Sequence, residues 1–166
     1  MLIVITGASS SGKSTLARAM QALAGRPLLH LEADEFVPAL NPGGVTNRDS
    51  GFEARLIVGF HRAIAELGRS GLDVIVDGSL PDEEGLKGQC LDILRGVAGT
   101  QVIAVNCAAA TLRRREAARG DRPRGWAVRQ AAQVHAGVVC DLEVDTTRAS
   151  PDVLARRLLT RLFQPA

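Results

Sequence analysis

The chain is short of aromatic side chains: its 166 residues include no tyrosine, one tryptophan (Trp126) and four phenylalanines. Flat ligands can therefore be gripped with little ring stacking, and a platform of successive aromatics for single-stranded nucleic acid is excluded. Lysine is almost as scarce. Of 20 basic residues only Lys13 and Lys87 are lysines, and the formal net charge of +2 offers no global attraction for a polyanion. The three cysteines, Cys90, Cys107 and Cys140, are widely separated, so the chain has neither a disulfide framework nor a metal-ligand spacing. They read as reduced, mostly buried thiols. No apolar run approaches the roughly 20 residues of a membrane span. The sequence offers no leader-like segment ahead of its first apolar strand, and the expectation is a cytoplasmic protein without a membrane or nucleic-acid partner.

With 46% hydrophobic residues there is enough apolar material for a core. A length inside the roughly 100–200 residues of a typical domain predicts a single domain over 1–166. The most informative stretch comes first. Leu2 to Ile5 is a buried-strand pattern that runs through Thr6 into Gly7, Ala8, Ser9, Ser10, Ser11, Gly12, Lys13, Ser14 and Thr15. This is a complete Walker A loop between a strand and the helical pattern Leu16-Ala17-Arg18-Ala19-Met20. Gly7 and Gly12 let the backbone turn with its N–H groups inward, where they and the helix N-terminus hold phosphates. Lys13 reaches the β- and γ-phosphates and Ser14 offers a hydroxyl to Mg²⁺, which makes ATP with Mg²⁺ the expected cofactor pair. In a chain with two lysines, one at this position is not incidental; Lys87, in a polar stretch, reads as solvated.

Strand and helix signals alternate to the end, the pattern of a parallel sheet covered on both faces. Strands are expected at 2–6, 28–32, 72–77, 101–106 and 142–146. Helices are expected at 13–24, about 51–70, about 83–96, 110–119, 124–138 and 151–163. The fold class is therefore α/β: a P-loop NTPase with a nucleotide-kinase-like three-layer sandwich, a five-stranded parallel sheet and a short arginine-rich lid at about 115–125. The stretch around 36–50, with Pro38, Pro42, Gly43 and Gly44, lacks periodicity and reads as a variable acceptor loop.

Because the strands of a parallel sheet all end at one edge, residues just past each strand converge on one crevice. Asp77 ends the third strand as a Walker B-like acid suited to holding Mg²⁺, often through water. Asp34 follows the second strand, where a carboxylate can accept the proton of an attacking hydroxyl, with Glu32 and Glu35 as rivals. Arg115 and Arg119 share a helix face, and Arg122 follows on the loop after Gly120. Planar guanidinium groups there suit the oxygens of a transferring phosphoryl group. Thr147 and Arg148, at the end of the fifth strand, are candidates for contact with the adenine. His30, His61 and His135 stand apart and receive no role, and Trp126 reads as a hydrophobic cap on the helix after the lid.

The series Arg115-Glu116, Ala118-Arg119-Gly120-Asp121-Arg122, Gln130-Ala131, Val134-His135-Ala136-Gly137 and Val144-Asp145-Thr146-Thr147 resembles the chloramphenicol phosphotransferase family of small P-loop kinases. The loop at 7–15, the strand closing on Asp34 and the strand ending at Asp77 extend the resemblance over most of the chain. It implies ATP- and Mg²⁺-dependent phosphorylation of a small-molecule hydroxyl, with Asp34 matching the family's base and Arg119 and Arg122 its lid arginines. Two departures bear on the acceptor: the segment from Phe36 to Ser50 is shorter and of different composition, and the family's second acid beside Asp77 is here Gly78.

The expected function is thus an O-phosphotransferase acting on an antibiotic such as chloramphenicol or a related metabolite. A metabolic kinase for a nucleotide, sugar acid or shikimate-like acceptor is the nearest alternative. Such anionic acceptors call for arginines after the second strand, where only Arg48 and Arg55 stand. A nucleotide-dependent binding module is the third reading; the absence of an Asn-Lys-Xaa-Asp stretch removes its GTPase form. The oligomeric state is not legible in these residues.

Overall fold

All five expected strands form in the computed structural model, which describes residues 1–36, 51–78, 80–81, 84–120 and 123–163 and, for Asp34, Glu35 and Glu84, the backbone alone. The acceptor loop expected at 36–50 lies outside the described residues beyond Phe36, as do Arg48, Asp121 and Arg122. The elements run β1 (Leu2–Thr6), α1 (Lys13–Leu23), β2 (Leu29–Glu32), α2 (Ala33–Phe36), α3 (Phe52–Arg69), β3 (Val74–Gly78), α4 (Glu84–Arg95), β4 (Gln101–Asn106), α5 (Ala109–Arg119), α6 (Trp126–Ala131), β5 (Leu142–Asp145) and α7 (Pro151–Phe163).

The strands pair in the order β2-β3-β1-β4-β5, every pair parallel. Alternation within the strands then explains the layers. Ile3, Ile5, Ile75, Ile103 and Val105 pack with Leu16, Ala17 and Met20 of α1 and Leu154, Ala155 and Leu158 of α7. Leu2, Val4, Val74, Val76 and Val102 pack with Ile64 and Ala65 of α3 and Leu94 of α4 on the other face. Strands buried on both faces read as continuous apolar runs, which is why they were legible as strands. β1 lies between β3 and β4, so the loop that leaves its C-terminal end opens where the winding of the sheet reverses, the place where such sheets take ligands.

Several boundaries move for physical reasons. Leu72 and Asp73 fall outside β3, and the Asp73 carboxylate holds the Met1 ammonium at 2.7 Å and Arg26 at 3.0 Å. The helix expected over 124–138 ends at Ala131 and continues as turns, with i→i−3 bonds such as Gln133 N–H to Gln130 O and Ala136 N–H to Gln133 O. That tighter path buries Val134 and brings His135 Nε2 to 3.3 Å from Thr6 O. Lys87 is not solvated as expected: it is 8% exposed, on the inward stripe of α4 with Cys90, Leu91 and Leu94, where its aliphatic stem can lie along apolar neighbours. Burial also pushes the Cys90 thiol up to about 11, so it stays protonated, and no cysteine is in a disulfide. His61 is buried as well, its Nδ1 2.7 Å from Ile57 O, and desolvation lowers its pKa.

Candidate active site

The loop between β1 and α1 has the backbone its composition requires. Gly12 sits at φ 96° and Ser10 at φ 60°, both left-handed, and Gly12 forms the N-cap of α1 without a capping side chain. The N–H groups of the first helical turn are thereby left for a ligand. Gly7 is needed for a different reason: a Cβ there would stand 2.6 Å from Val105 O. Lys13 Nζ donates to Ala8 O at 3.0 Å, so the side chain curls back over the loop.

Three side chains from later in the chain brace this loop. Arg115 Nη1 donates to Ser11 O at 3.1 Å and Thr146 Oγ1 at 3.2 Å, while Nη2 donates to Thr146 O at 2.8 Å. Thr146 Oγ1 donates in turn to Ser11 O at 2.5 Å. From the other direction Gln130 Oε1 accepts the Ser9 N–H at 2.7 Å. The loop is therefore tied to α5, to the end of β5 and to α6 before any ligand arrives.

Beyond it opens a cleft of about 1190 Å³. Ser9, Ser10, Gly12, Lys13, Ser14 and Thr15 form its floor, and Asp77, Arg115 and Arg119 face it from other elements. These expected site residues are brought together. Gly7, Ala8 and Ser11 belong to the loop but not to the cleft wall; Ala8 and Ser11 instead border a smaller pocket of about 280 Å³ beside β4. Thr147 and Arg148 are not on the cleft wall either. The Thr147 hydroxyl accepts the Ala108 N–H at 2.8 Å, and Thr146, Ala149 and Pro151 line the cleft in their place. Trp126 is not a buried cap: it is 40% exposed and lines the cleft with Gln130, one helical turn away.

The acidic side of the cleft is organised by ion pairs. Arg18 of α1 binds Glu32 Oε1, which occupies the carboxylate the sequence offered as a rival base. His30, with its side chain 6% exposed, sits with Nε2 3.2 Å from Asp77 Oδ1 and Nδ1 4.0 Å from Glu32 Oε1. Asp77 Oδ2, together with Ser10 Oγ and Ser11 Oγ, is buried without a hydrogen-bond partner among the described residues. Asp34 is the second residue of α2, a short helix absent from the sequence reading that leaves β2 directly and packs against the tip of β3. A Cβ on Gly78 would come within 2.6 Å of Ala33 Cβ, so the lack of a side chain at 78 is what lets α2 approach.

The segment expected as a lid carries a clamp that sequence reasoning missed. Glu116, 5% exposed in α5, accepts the Gly125 N–H at 2.6 Å and the Ala127 N–H at 2.7 Å, spanning the lid from its start to the first turn of α6. Those bonds, the one from Ala127 foremost, hold its carboxyl below the usual glutamate range. The available signal was a lone acid inside an arginine-rich helix. Arg119 stands at the last residue of α5, before Gly120 closes that helix at φ 71°.

A family model described as chloramphenicol phosphotransferase-like protein matches residues 1–163. The chain belongs to this family. A Mycobacterium tuberculosis protein that carries the provisional description O-phosphotransferase is 33% identical over 183 residues, covering 95% of this chain and 80% of that protein. Among solved structures, the M. tuberculosis APS kinase in complex with AMPPNP and APS superposes with a TM-score of 0.70 at 18% identity, over 99% of this chain and 97% of that one. The shikimate kinase of Aquifex aeolicus gives 0.64 at 14%, over 98% and 96%. At those identities the structures establish the fold alone, a P-loop kinase fold, while the family match establishes a phosphotransferase family.

Proposed function

We propose that this phosphotransferase moves the γ-phosphoryl group of ATP to a hydroxyl of a small molecule bearing an apolar part, an antibiotic such as chloramphenicol or a related metabolite. The observation that carries the reading is the single cleft. It holds a braced phosphate loop, a strand-tip acid and a lid arginine, with α2 delivering Asp34 beside the same strand tip.

In this reading the triphosphate lies along the N–H groups of residues 9–15, and Lys13 leaves Ala8 O to neutralise the β- and γ-phosphates. The donor set offered to a metal is all hard oxygen, namely the Ser14 hydroxyl and the unpartnered Asp77 carboxylate oxygen completed by phosphates, which fits Mg²⁺. When bound, Mg²⁺ offsets charge on the phosphate oxygens. Among the described residues no group of three or more His, Cys, Asp or Glu side chains forms a metal cage. Asp34 takes the acceptor's hydroxyl proton as the oxygen bonds to the γ-phosphorus and the bond to the β-phosphate oxygen breaks, releasing ADP. Arg119 and Arg122 close over the transferring group, and Arg115 stays on its brace, keeping the loop in shape.

Among the described residues Arg18 is the basic side chain lining the cleft beside Glu32 and Asp77, and Glu32 pairs with it, which supports a neutral acceptor on that side. Phe36, the last residue of α2, is 37% exposed and packs at 4.6 Å against Phe60 of α3, an apolar pair on the element that carries Asp34. The test is incubation with ATP, Mg²⁺ and a panel of acceptors, neutral ones including chloramphenicol against gluconate, shikimate and nucleoside monophosphates. A phosphorylated neutral product supports the reading; transfer confined to the anionic acceptors overturns it.

A further inference from the structure

We propose that His30 is a positioning residue for Asp77: its imidazole fixes one carboxylate oxygen so that the other is presented, already desolvated, to the metal–nucleotide complex. The inference rests on the kinase reading above and adds a residue to which neither the family match nor the sequence had given a role.

The geometry follows from strand register. In the β2–β3 ladder His30 pairs with Ile75 and Glu32 with Asp77, so His30 and Asp77 lie on one face of the sheet, diagonally adjacent. That is the face covered by α1, where Ile75 packs under the helix that begins at Lys13. An apolar side chain would suit such a position, and the chain places an imidazole there instead. Its side chain is 6% exposed and that of Asp77 only 2%, so neither exchanges its partner freely with bulk water. A carboxylate oxygen only accepts, so the 3.2 Å contact has Nε2–H as donor and Asp77 Oδ1 as acceptor.

The consequence is an asymmetric carboxylate. Oδ1 is engaged, whereas Oδ2 is buried without a partner among the described residues. With one oxygen pinned, rotation of the carboxylate is restrained, and the desolvation of Oδ2 has been met in folding rather than at the moment of binding. Glu32 and Arg18 flank the imidazole on its other side, beyond hydrogen-bond distance. Glu32 Oε1 stands 4.0 Å from His30 Nδ1 and is held by Arg18 from α1, so the imidazole is bracketed from both sides. The line Arg18, Glu32, His30, Asp77 thus links the helix that starts at the phosphate loop to the acid at the tip of β3.

Outer partners of this kind typically change metal affinity by about 10- to 100-fold when removed. The experiment uses two polar substitutions, both compatible with a folded chain. In His30→Gln the amide nitrogen falls where Nε2 was and can still donate to Oδ1; in His30→Asn it falls nearer Nδ1 and cannot. Mn²⁺ uptake is measured by electron paramagnetic resonance in the presence of ADP, alongside calorimetric affinity for ADP in EDTA. The expected result is about tenfold weaker Mn²⁺ binding for His30→Asn, a His30→Gln value within about threefold of wild type, and metal-free ADP affinity equal in all three. Equal Mn²⁺ affinity in His30→Asn and wild type overturns the assignment. So does a parallel loss of metal-free ADP affinity, or a His30→Gln protein as impaired as His30→Asn, since either outcome means a packing role. Wild-type protein that takes up neither ADP nor Mn²⁺ overturns the kinase reading itself, and this assignment with it.

Discussion

The two sides of the cleft are held together by different means. On the β4–β5 side, Arg115 and Thr146 bond to a backbone carbonyl of the phosphate loop, Arg115 also bonds to the carbonyl of Thr146, and Gln130 takes the Ser9 amide. On the β2–β3 side the links run between charged or ionisable side chains: Arg18 with Glu32, and His30 with Asp77. Bonds to backbone set the shape of a loop and suit a polyphosphate, the part shared by every nucleotide substrate. Side-chain links set the direction and charge of carboxylates, which is what distinguishes one chemistry from another at the same phosphate site.

Breaking the backbone-wired side is expected to have the largest effect. Arg115→Ala removes donors to Ser11 O and to Thr146, and a loss of about 2–3 kcal/mol in unfolding free energy is expected, with weaker MgATP binding. Chemical denaturation and calorimetry measure the two. Gly78→Ala tests the opposite side. The added Cβ meets Ala33 Cβ at 2.6 Å, so α2 has to move, at a cost of about 1–3 kcal/mol. Transfer is expected to fall at least tenfold while MgATP affinity stays within twofold; a matching drop in MgATP affinity would mean that the two sides are not separable.

The smallest effect is expected at the lid clamp. The Glu116 carboxyl titrates below its unfolded value of about 4.3, so its contribution to stability is complete above that pH and is lost as pH falls through the lower folded value. Glu116→Gln is therefore expected to melt a few degrees below wild type at pH 7, and the gap is expected to narrow below about pH 4. A constant gap across that range would remove the carboxylate charge from the account of the clamp.

Legibility followed the same division. The strands were readable because both faces of a parallel sheet are buried, and the phosphate loop because its backbone demands glycine and small residues in a fixed spacing. α2 was not readable: four residues cannot show a helical period, and the approach of Ala33 to Gly78 depends on a contact 45 positions apart in sequence. Nor was His30, which reads as a solitary histidine until register sets it beside Asp77. Thr146 and Thr147 are neighbours of one residue type, and only the turn after β5 decides which faces the cleft. Lys87 looked solvated because its sequence neighbours are polar, whereas its helical neighbours at i+3, i+4 and i+7 are Cys90, Leu91 and Leu94. Except at Lys87, where the helical spacing stood in the sequence, what escaped was fixed by tertiary geometry rather than by local pattern.

The central claim is that Asp34 acts on the acceptor and not on the nucleotide. Its most direct test is Asp34→Asn, with MgATP affinity by calorimetry and acceptor phosphorylation by single-turnover kinetics measured on one preparation. The account predicts an affinity within about twofold of wild type and a transfer rate lower by about 10²–10⁴. A variant that transfers phosphate at the wild-type rate, or one that loses nucleotide binding to the same extent as transfer, would contradict it.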